Sequence, residues 1–275
     1  MLDTNTVGYI KDRKLAKYER LDKLGFKRLE NQNNIINSEY TKYYGTSIRN
    51  EKDAPVILFT FYTNKDKELQ IIITVRGTAT SADIKTDFLA ITNSKYSFMD
   101  AELKAEYNLP DKDGNIPYGF NKYTRLTILQ LGEIIQIIQE FTHQGYLIKN
   151  IICMGHSLGG AVATLMAPIL STFLSEVLFV NEIKSISILA VGSPKSLDKI
   201  TTEQSYKLLK QPEKTFIGMR IFNHNDVVSK VPPRYIQNKH LLLMDCNDDT
   251  KKLYKNISIL DYHSYYGIDR ILYKI

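Results

Sequence analysis

The feature that most constrains the fold is residues 148–170, where an apolar run leads through a G-x-S-x-G motif into a segment rich in small residues. The run at 148–154 is typical of a strand buried on both faces, and the segment after the motif has helical spacing. A strand, a sharp turn and a helix are the context in which this motif presents a nucleophilic serine. We therefore predict Ser157 at the tip of a strained turn, with its hydroxyl exposed; the alternative is an ordinary serine in a tight turn.

The length and composition of the chain permit one large domain. It has 275 residues, of which 43% are hydrophobic, and α/β folds of this size often form a single unit. Strand candidates that alternate with helical segments predict a mostly parallel central sheet covered by helices on both faces. The predicted strands are 56–62, 69–75, 148–154, 183–191, 216–222 and 240–244.

Three further segments complete the predicted organisation. We predict one domain over residues 1–275, with an N-terminal helical extension at 1–50 that contains a helix at 10–29. Residues 94–118 are rich in turn formers and are interpreted as an irregular surface excursion before a long helix at 123–143. A terminal helix is predicted at 264–273.

Charge and cysteine content limit the partners and the compartment. A net charge of +6 favours mild attraction to anionic surfaces such as lipid head groups, but the lysines are scattered and no nucleic-acid motif occurs. Two cysteines make no disulfide framework, and neither a signal peptide nor a membrane-length apolar stretch is visible, so we expect a cytoplasmic protein. No zinc or dinucleotide spacing is present, and we predict no metal and no organic cofactor.

A nucleophilic serine needs an imidazole to take its proton and a carboxylate to orient that imidazole. In α/β-hydrolases the chain order is serine, acid, histidine, and parallel sheets build their sites at the carboxyl ends of strands. Asp226 follows the strand predicted at 216–222 and is the preferred acid. Asp198, one strand earlier, and Asp245, after the last strand, are the alternatives.

Two of the five histidines follow Asp226 in the chain. His263 lies in a loop beyond the last predicted strand, from which it can reach Ser157, and we predict it as the base. His240 begins an apolar run and is expected to point into the sheet or cover its edge. His156, beside the serine, is interpreted as a packing or hydrogen-bonding residue of the elbow.

The tetrahedral intermediate of an acyl transfer also needs preset N–H donors. The amide of Leu158, at the start of the predicted helix, is one candidate. The second should come from a loop after an early strand, and Gly77-Thr78 fits because glycine permits an unusual turn and Thr78 offers both an amide and a hydroxyl. Gly-Thr is also a common way for a strand to end.

Five motifs in register resemble the class 3 (fungal-type) lipases over residues 56–266. They are Val75-Arg76-Gly77-Thr78, the elbow at 155–161, Gly192-Ser193-Pro194, Asn225-Asp226 with Pro232-Pro233, and His263 followed by Tyr266. The resemblance implies an α/β-hydrolase fold, with Ser157, Asp226 and His263 as triad and with Thr78 and Leu158 as oxyanion hole. It implies a lipid ester substrate, such as an acylglycerol, and transient contact with a membrane or lipid droplet surface is expected.

The same resemblance makes residues 79–88 the short helical lid of such lipases. Asp87 matches the aspartate at the end of the lid, and Ile84 stands where the family usually carries tryptophan, a residue this chain lacks entirely. Ile84 and Phe88 are four residues apart and so lie on one apolar helical face.

The sequence thus predicts a serine carboxylic ester hydrolase, an acylglycerol lipase that works through an acyl-enzyme intermediate. One alternative is a phospholipase A-type activity, which the positive charge would suit. The other is a lipase-like scaffold without turnover, against which the complete set of serine, aspartate and histidine positions argues.

Overall fold

The computed structural model of the chain describes residues 27–28, 41–44, 57–63, 66–77, 93–98, 101–106, 108–177, 183–211, 214–236 and 240–245. The predicted lid, Thr78, His263 and the predicted terminal helix lie outside these ranges.

A sheet of eight strands forms the centre of the described part. The strands of the chain are β1 (Lys27–Arg28), β2 (Thr41–Tyr44), β3 (Ile57–Thr63), β4 (Glu68–Val75), β5 (Asn93–Tyr96), β6 (Gly114–Pro117), β7 (Leu147–His156), β8 (Ser185–Val191), β9 (Thr215–Phe222) and β10 (Leu242–Asp245). The order in the sheet is β1-β3-β4-β7-β8-β9-β10, with β2 also pairing with β3, while β5 and β6 form a separate pair.

Five neighbouring strands, β4, β7, β8, β9 and β10, run parallel to one another. The strands β1, β2 and β3 add an antiparallel edge next to β4. Beyond Glu68, every residue of β4 is buried, as expected for a strand covered on both faces. These features confirm the predicted α/β class with its mostly parallel sheet.

The register brings the carboxyl ends of three strands to one edge. Val75 of β4 lies opposite Gly155 of β7, and His156 of β7 lies opposite Val191 of β8. The residues that follow these positions therefore meet above the same end of the sheet, where open parallel sheets build their sites.

Four helices and one short 3-10 helix are described. They are α1 (Ala101–Glu106), α2 (Tyr118–His143), α3 (Leu158–Val177), α4 (Lys199–Leu209) and the 3-10 helix Val228–Lys230. The helix α3 packs against β7 and β8, and α2 and α4 pack against α3. The helix α3 contains small and medium apolar residues, including Ala161, Val162 and Leu165, which are fully buried. No helix in the described ranges combines the length and the apolar character needed to cross a membrane.

The structure corrects two predictions. Residues 94–118 are not an irregular excursion, since they contain the β5–β6 pair and α1, and α2 begins at Tyr118 rather than at 123. The turn formers misled the interpretation because Pro117 ends β6 and directly precedes the first residue of α2. Gly119 and Asn121 are simply accommodated within that helix, with Phe120 buried between them.

The helical extension predicted at 1–50 is wrong for the six of its residues that the structure describes. Lys27–Arg28 and Thr41–Tyr44 are strands that pair with β3. Their physical role is to satisfy the backbone hydrogen bonds along the outer edge of β3, which would otherwise be an open sheet edge. The other residues of 1–50 lie outside the described ranges.

Candidate active site

Ser157 stands at the turn between β7 and α3 in a backbone conformation that side chains rarely adopt. Its φ is +56°, in the left-handed region, which costs roughly 1–2 kcal/mol for a residue other than glycine. Its N–H donates to the carbonyl of Val191 (2.9 Å), and its own carbonyl accepts from the N–H groups of Gly160 (3.0 Å) and Ala161 (3.3 Å). The predicted strained turn is confirmed, and these bonds hold it in place.

The glycines around Ser157 let helix and strand come into backbone contact. A Cβ on Gly155 would lie 2.3 Å from the backbone carbon and oxygen of Gly159. A Cβ on Gly159 would lie 2.1 Å from the carbonyl oxygen of Val75 on β4. No side chain fits at either position, so the turn stays as tight as the motif predicts.

The side chain of Ser157 is not exposed as predicted, because the residue is 1% exposed. Gly77, just beyond the end of β4, packs against it: a Cβ on Gly77 would lie 3.2 Å from the Cβ of Ser157 and 2.7 Å from the carbonyl oxygen of His156. Close packing of the residues that follow β4 and β7 therefore encloses the serine on this side. His156 is itself buried at the end of β7, in keeping with a packing role.

The helix α3 begins directly after the serine, at Leu158. The first four N–H groups of a helix have no partner within the helix, and the helix dipole is positive at this end. The N–H of Ser157 is bonded to Val191, so the amide of Leu158 is the better placed donor for an oxyanion near Ser157. Thr78 follows Gly77 in the chain and lies just outside the described ranges.

Asp226 is fully buried in the loop after β9, two strands from β7 in the sheet. Its Oδ1 accepts from the N–H of Val228 (2.9 Å), and its backbone N–H donates to the carbonyl of Asn223 (2.9 Å). Its own carbonyl accepts from the Ser229 hydroxyl (2.8 Å). These bonds hold the backbone of Asp226 and one oxygen of its carboxylate in place at the carboxyl end of the sheet.

Asp198, the first alternative acid, is the N-cap of α4. Its Oδ1 accepts from the N–H (2.8 Å) and the hydroxyl (2.8 Å) of Thr201, and its Oδ2 accepts from the N–H of Asn115 (2.6 Å) on β6. Both oxygens thus serve to fasten α4 to β6, which is a structural role. The side chain of Asp245, the second alternative, is outside what the structure describes.

His240, the alternative base, packs flat on Tyr206 of α4. The two ring centroids are 3.7 Å apart and the planes differ by 10°. This contact gives His240 a packing role against a helix, whereas the sequence predicted that it would point into the sheet or cover its edge. The preferred base, His263, and the lid residues Ile84, Asp87 and Phe88 lie outside the described ranges.

Other chemistries have little support in the described part of the chain. Cys153 on β7 is fully buried, and burial raises the pKa of its thiol to about 12, so it is protonated and inert at neutral pH. Among the described residues, no group of three or more His, Cys, Asp or Glu side chains could hold a metal ion.

One residue of the site escaped the sequence analysis. Arg220 on β9 is buried, and it donates hydrogen bonds to the carbonyls of Ser193, in the loop after β8, and Ser229, in the loop after β9. A signal was available, since an arginine inside an otherwise apolar strand must have a partner when buried.

A family profile described as lipase (class 3) matches residues 72–236, which is more than half of the chain. Ser157 and Asp226 lie inside this range and His263 lies beyond it. The sequence matches none of the curated proteins with which it was compared.

Solved lipase structures share the fold at low sequence identity. The LIP2 lipase of Yarrowia lipolytica is 19% identical with a TM-score of 0.55, over 88% of this chain and 76% of that one. The triacylglyceride lipase of Rhizomucor miehei is 17% identical with a TM-score of 0.54, over 84% and 82%. The lipase of Rhizopus microsporus var. chinensis is 18% identical with a TM-score of 0.52, over 84% and 64%.

The chain spans less than two thirds of some of these relatives. It covers 64% of the Rhizopus chain and 59% of the chain in a second structure of Yarrowia Lip2. With the family match, the likeness establishes the α/β-hydrolase fold of these lipases.

Proposed function

We propose that this chain, which belongs to the class 3 lipase family, is a serine hydrolase that cleaves lipid esters through an acyl-enzyme intermediate. The observation that carries the proposal is the conformation of Ser157. A serine held at φ +56° between a strand and a helix is under strain that an ordinary turn would avoid by using glycine. Strain of this kind is typical of a nucleophile presented by an α/β-hydrolase elbow.

The position of the buried acid supports the same reaction. Asp226 follows β9 and Ser157 follows β7, and both strands end at the same edge of the sheet. We propose His263 as the base between them. The carboxylate of Asp226 would hold the imidazole in one tautomer and stabilise it when it becomes protonated.

The proposed reaction has two halves. His263 takes the proton of the Ser157 hydroxyl while the Oγ atom attacks the ester carbonyl carbon. The resulting oxyanion is stabilised by the N–H of Leu158 and by Thr78 until the intermediate collapses, and His263 passes its proton to the departing alcohol. Water then attacks the acyl-enzyme with His263 as base, which releases the fatty acid and restores Ser157.

Access to the serine requires a movement in this account, since Ser157 is 1% exposed. We propose that residues 79–88, which begin two positions after Gly77, act as the lid, with Ile84 and Phe88 on its apolar face and Asp87 near its end. A lipid surface would favour the open state because that state exposes the apolar face.

The substrate class we propose is acylglycerol, by analogy with the triacylglyceride lipase of Rhizomucor miehei, whose fold is similar. Phospholipid is the second candidate, favoured by the net charge of +6, which would draw the protein to anionic membranes.

The test is hydrolysis of three substrates by the wild type and by Ser157→Ala. The substrates are emulsified triacylglycerol, vesicles of phosphatidylcholine with an anionic phospholipid, and a soluble p-nitrophenyl ester. We expect release of fatty acid from the emulsion, and a burst of p-nitrophenol equal to the enzyme concentration when deacylation is slower than acylation. Faster release from the vesicles would identify the phospholipid activity instead. Equal rates for wild type and Ser157→Ala would disprove the proposed nucleophile.

A further inference from the structure

Arg220 is a charged side chain in the interior of the sheet. It lies on β9 between Met219 and Ile221 and is 3% exposed. Taking a guanidinium out of water is costly unless hydrogen bonds and a nearby negative charge compensate it. The packing of the strand alone therefore does not account for a buried arginine at this position.

The guanidinium joins the loops that follow two neighbouring strands. One nitrogen, Nη2, donates to the carbonyl of Ser193 after β8 and to the carbonyl of Ser229 after β9 (2.8 Å to Ser229). The hydroxyl of Ser229 in turn donates to the carbonyl of Asp226 (2.8 Å). Arg220 thus reaches the backbone of Asp226 through a single intervening residue.

The loop that carries Ser193, after β8, packs close to the nucleophile. A Cβ on Gly160, in the first turn of α3, would lie 2.9 Å from the Cβ of Ser193. Ser193 therefore packs on the turn that directly follows Ser157, and the N–H of Gly160 is bonded to the carbonyl of Ser157. One guanidinium consequently fastens the loop that carries the acid to the loop that packs on the start of the nucleophile helix.

The negative charge of Asp226 acts on the Arg220 guanidinium. Burial lowers the pKa of the guanidinium to about 10, and the negative charge of Asp226 opposes this lowering. The side chain remains a cation at neutral pH. Within the described residues its Nη1 nitrogen has no hydrogen-bond partner, so the buried charge depends on the carbonyls and on Asp226 for compensation.

We propose that Arg220 is a positioning residue for catalysis, which acts through Asp226 by holding the acid loop against the Ser193 loop. This inference rests on the proposed function, because it assigns a role within that triad. Arg220 itself touches neither the substrate nor the reacting atoms. A displacement of the acid by about 1 Å is enough to lower a rate on the order of 10²-fold, since the triad needs near-attack geometry.

The test compares Arg220→Met and Arg220→Lys in the wild type and in the Asp226→Asn background. Initial rates on a soluble p-nitrophenyl ester give kcat and KM, and thermal unfolding gives Tm. Leu69→Ala is the control for destabilisation, because Leu69 is fully buried near the amino end of β4, away from the site.

We expect Arg220→Met to lower kcat by roughly 10²-fold with KM within about twofold, and Arg220→Lys to recover part of the loss by restoring a cation. In the Asp226→Asn background, Arg220→Met should cost less than about threefold, because residues that act as a unit are not additive. Leu69→Ala should lower Tm and leave kcat unchanged.

Two results would overturn the inference. One is that Arg220→Met lowers kcat by the same factor in the wild type and in the Asp226→Asn background. The other is a kcat no lower than that of Leu69→Ala. Amide hydrogen exchange tests the inference without a measurement of activity. Arg220→Met must speed exchange at the Val228 amide, which donates to Asp226. If the Met variant does not fold, Arg220→Lys is measured in its place. An unchanged exchange rate at the Val228 amide contradicts the inference. A wild type without esterase activity would contradict the proposed function alone.

Discussion

Gly77 and Ser157 are in such close contact that a Cβ on the glycine would lie 3.2 Å from the Cβ of the serine. The same Cβ would lie 2.7 Å from the carbonyl oxygen of His156, a distance that real Cβ atoms essentially never show. The loop after β4 therefore reaches the nucleophile only because position 77 has no side chain. Its next residue, Thr78, is the proposed oxyanion donor.

Gly77→Ala is expected to push this loop away from the nucleophile. If the loop supplies one oxyanion donor, its displacement should lower kcat by roughly 10²–10³-fold with little change in KM. Steady-state kinetics on a soluble ester measures both. The matched control is Gly119→Ala in α2, where an added Cβ would meet no atom within 4 Å. An unchanged kcat in Gly77→Ala would mean that this loop supplies no donor to the oxyanion.

Ser157→Gly should be more stable than Ser157→Ala. The left-handed conformation at position 157 costs roughly 1–2 kcal/mol for alanine and nothing for glycine, although glycine loses about 0.5–1 kcal/mol more entropy on folding. The net difference is about 0.5–1 kcal/mol in the free energy of unfolding, measured by urea denaturation. Both variants should be inactive. A Ser157→Gly variant that is less stable than Ser157→Ala by about 0.5–1 kcal/mol would mean that the turn carries no strain in solution.

Substitutions of the two histidines that follow Asp226 in the chain should have different effects on kcat and on stability. His263→Ala is expected to lower kcat by a factor on the order of 10⁴ or more, as for loss of a triad base. His240→Ala removes the ring stacked on Tyr206 and should lower the free energy of unfolding by about 1 kcal/mol while kcat stays near the wild-type value. The reverse pattern would assign the base to His240.

The proposed lid predicts a response to a lipid interface. As a p-nitrophenyl ester crosses its solubility limit, the wild-type rate should rise abruptly, because the interface favours the open state. Ile84→Ser combined with Phe88→Ser removes the apolar face and should blunt the rise. Smooth saturation in both proteins would exclude a moving lid and indicate an open-site esterase.

The fold was predictable where hydrophobic periodicity is strong. Residues 69–75 and 216–222 are apolar runs that the structure places within β4 and β9, and the elbow at Ser157 follows from the spacing of its glycines. The tip of the elbow was harder to predict. Its burial depends on Gly77, which follows a strand distant in sequence, and no local pattern indicates that contact.

Tertiary contacts decide what local signals leave open or misjudge. Asp198 remained an alternative acid because it follows a strand, and its role is clear only from its contacts, in which its oxygens cap α4 and bind Asn115, a residue 83 positions away in sequence. The strands at 27–28 and 41–44 form because β3 offers an open edge, which their own sequence does not indicate. Arg220 could have been singled out as a charge in an apolar strand, but its carbonyl partners come from loops after two different strands.

The central claim is that Ser157 is the nucleophile of an acyl-enzyme reaction, and covalent labelling tests it most directly. A fluorophosphonate probe phosphonylates an activated serine, and peptide mapping by mass spectrometry then locates the modified residue. The account predicts one probe per molecule on Ser157, esterase activity lost in step with labelling, and slow labelling in Asp226→Asn. A fully active wild type that remains unlabelled, or a label on another residue with activity retained in Ser157→Ala, would contradict it.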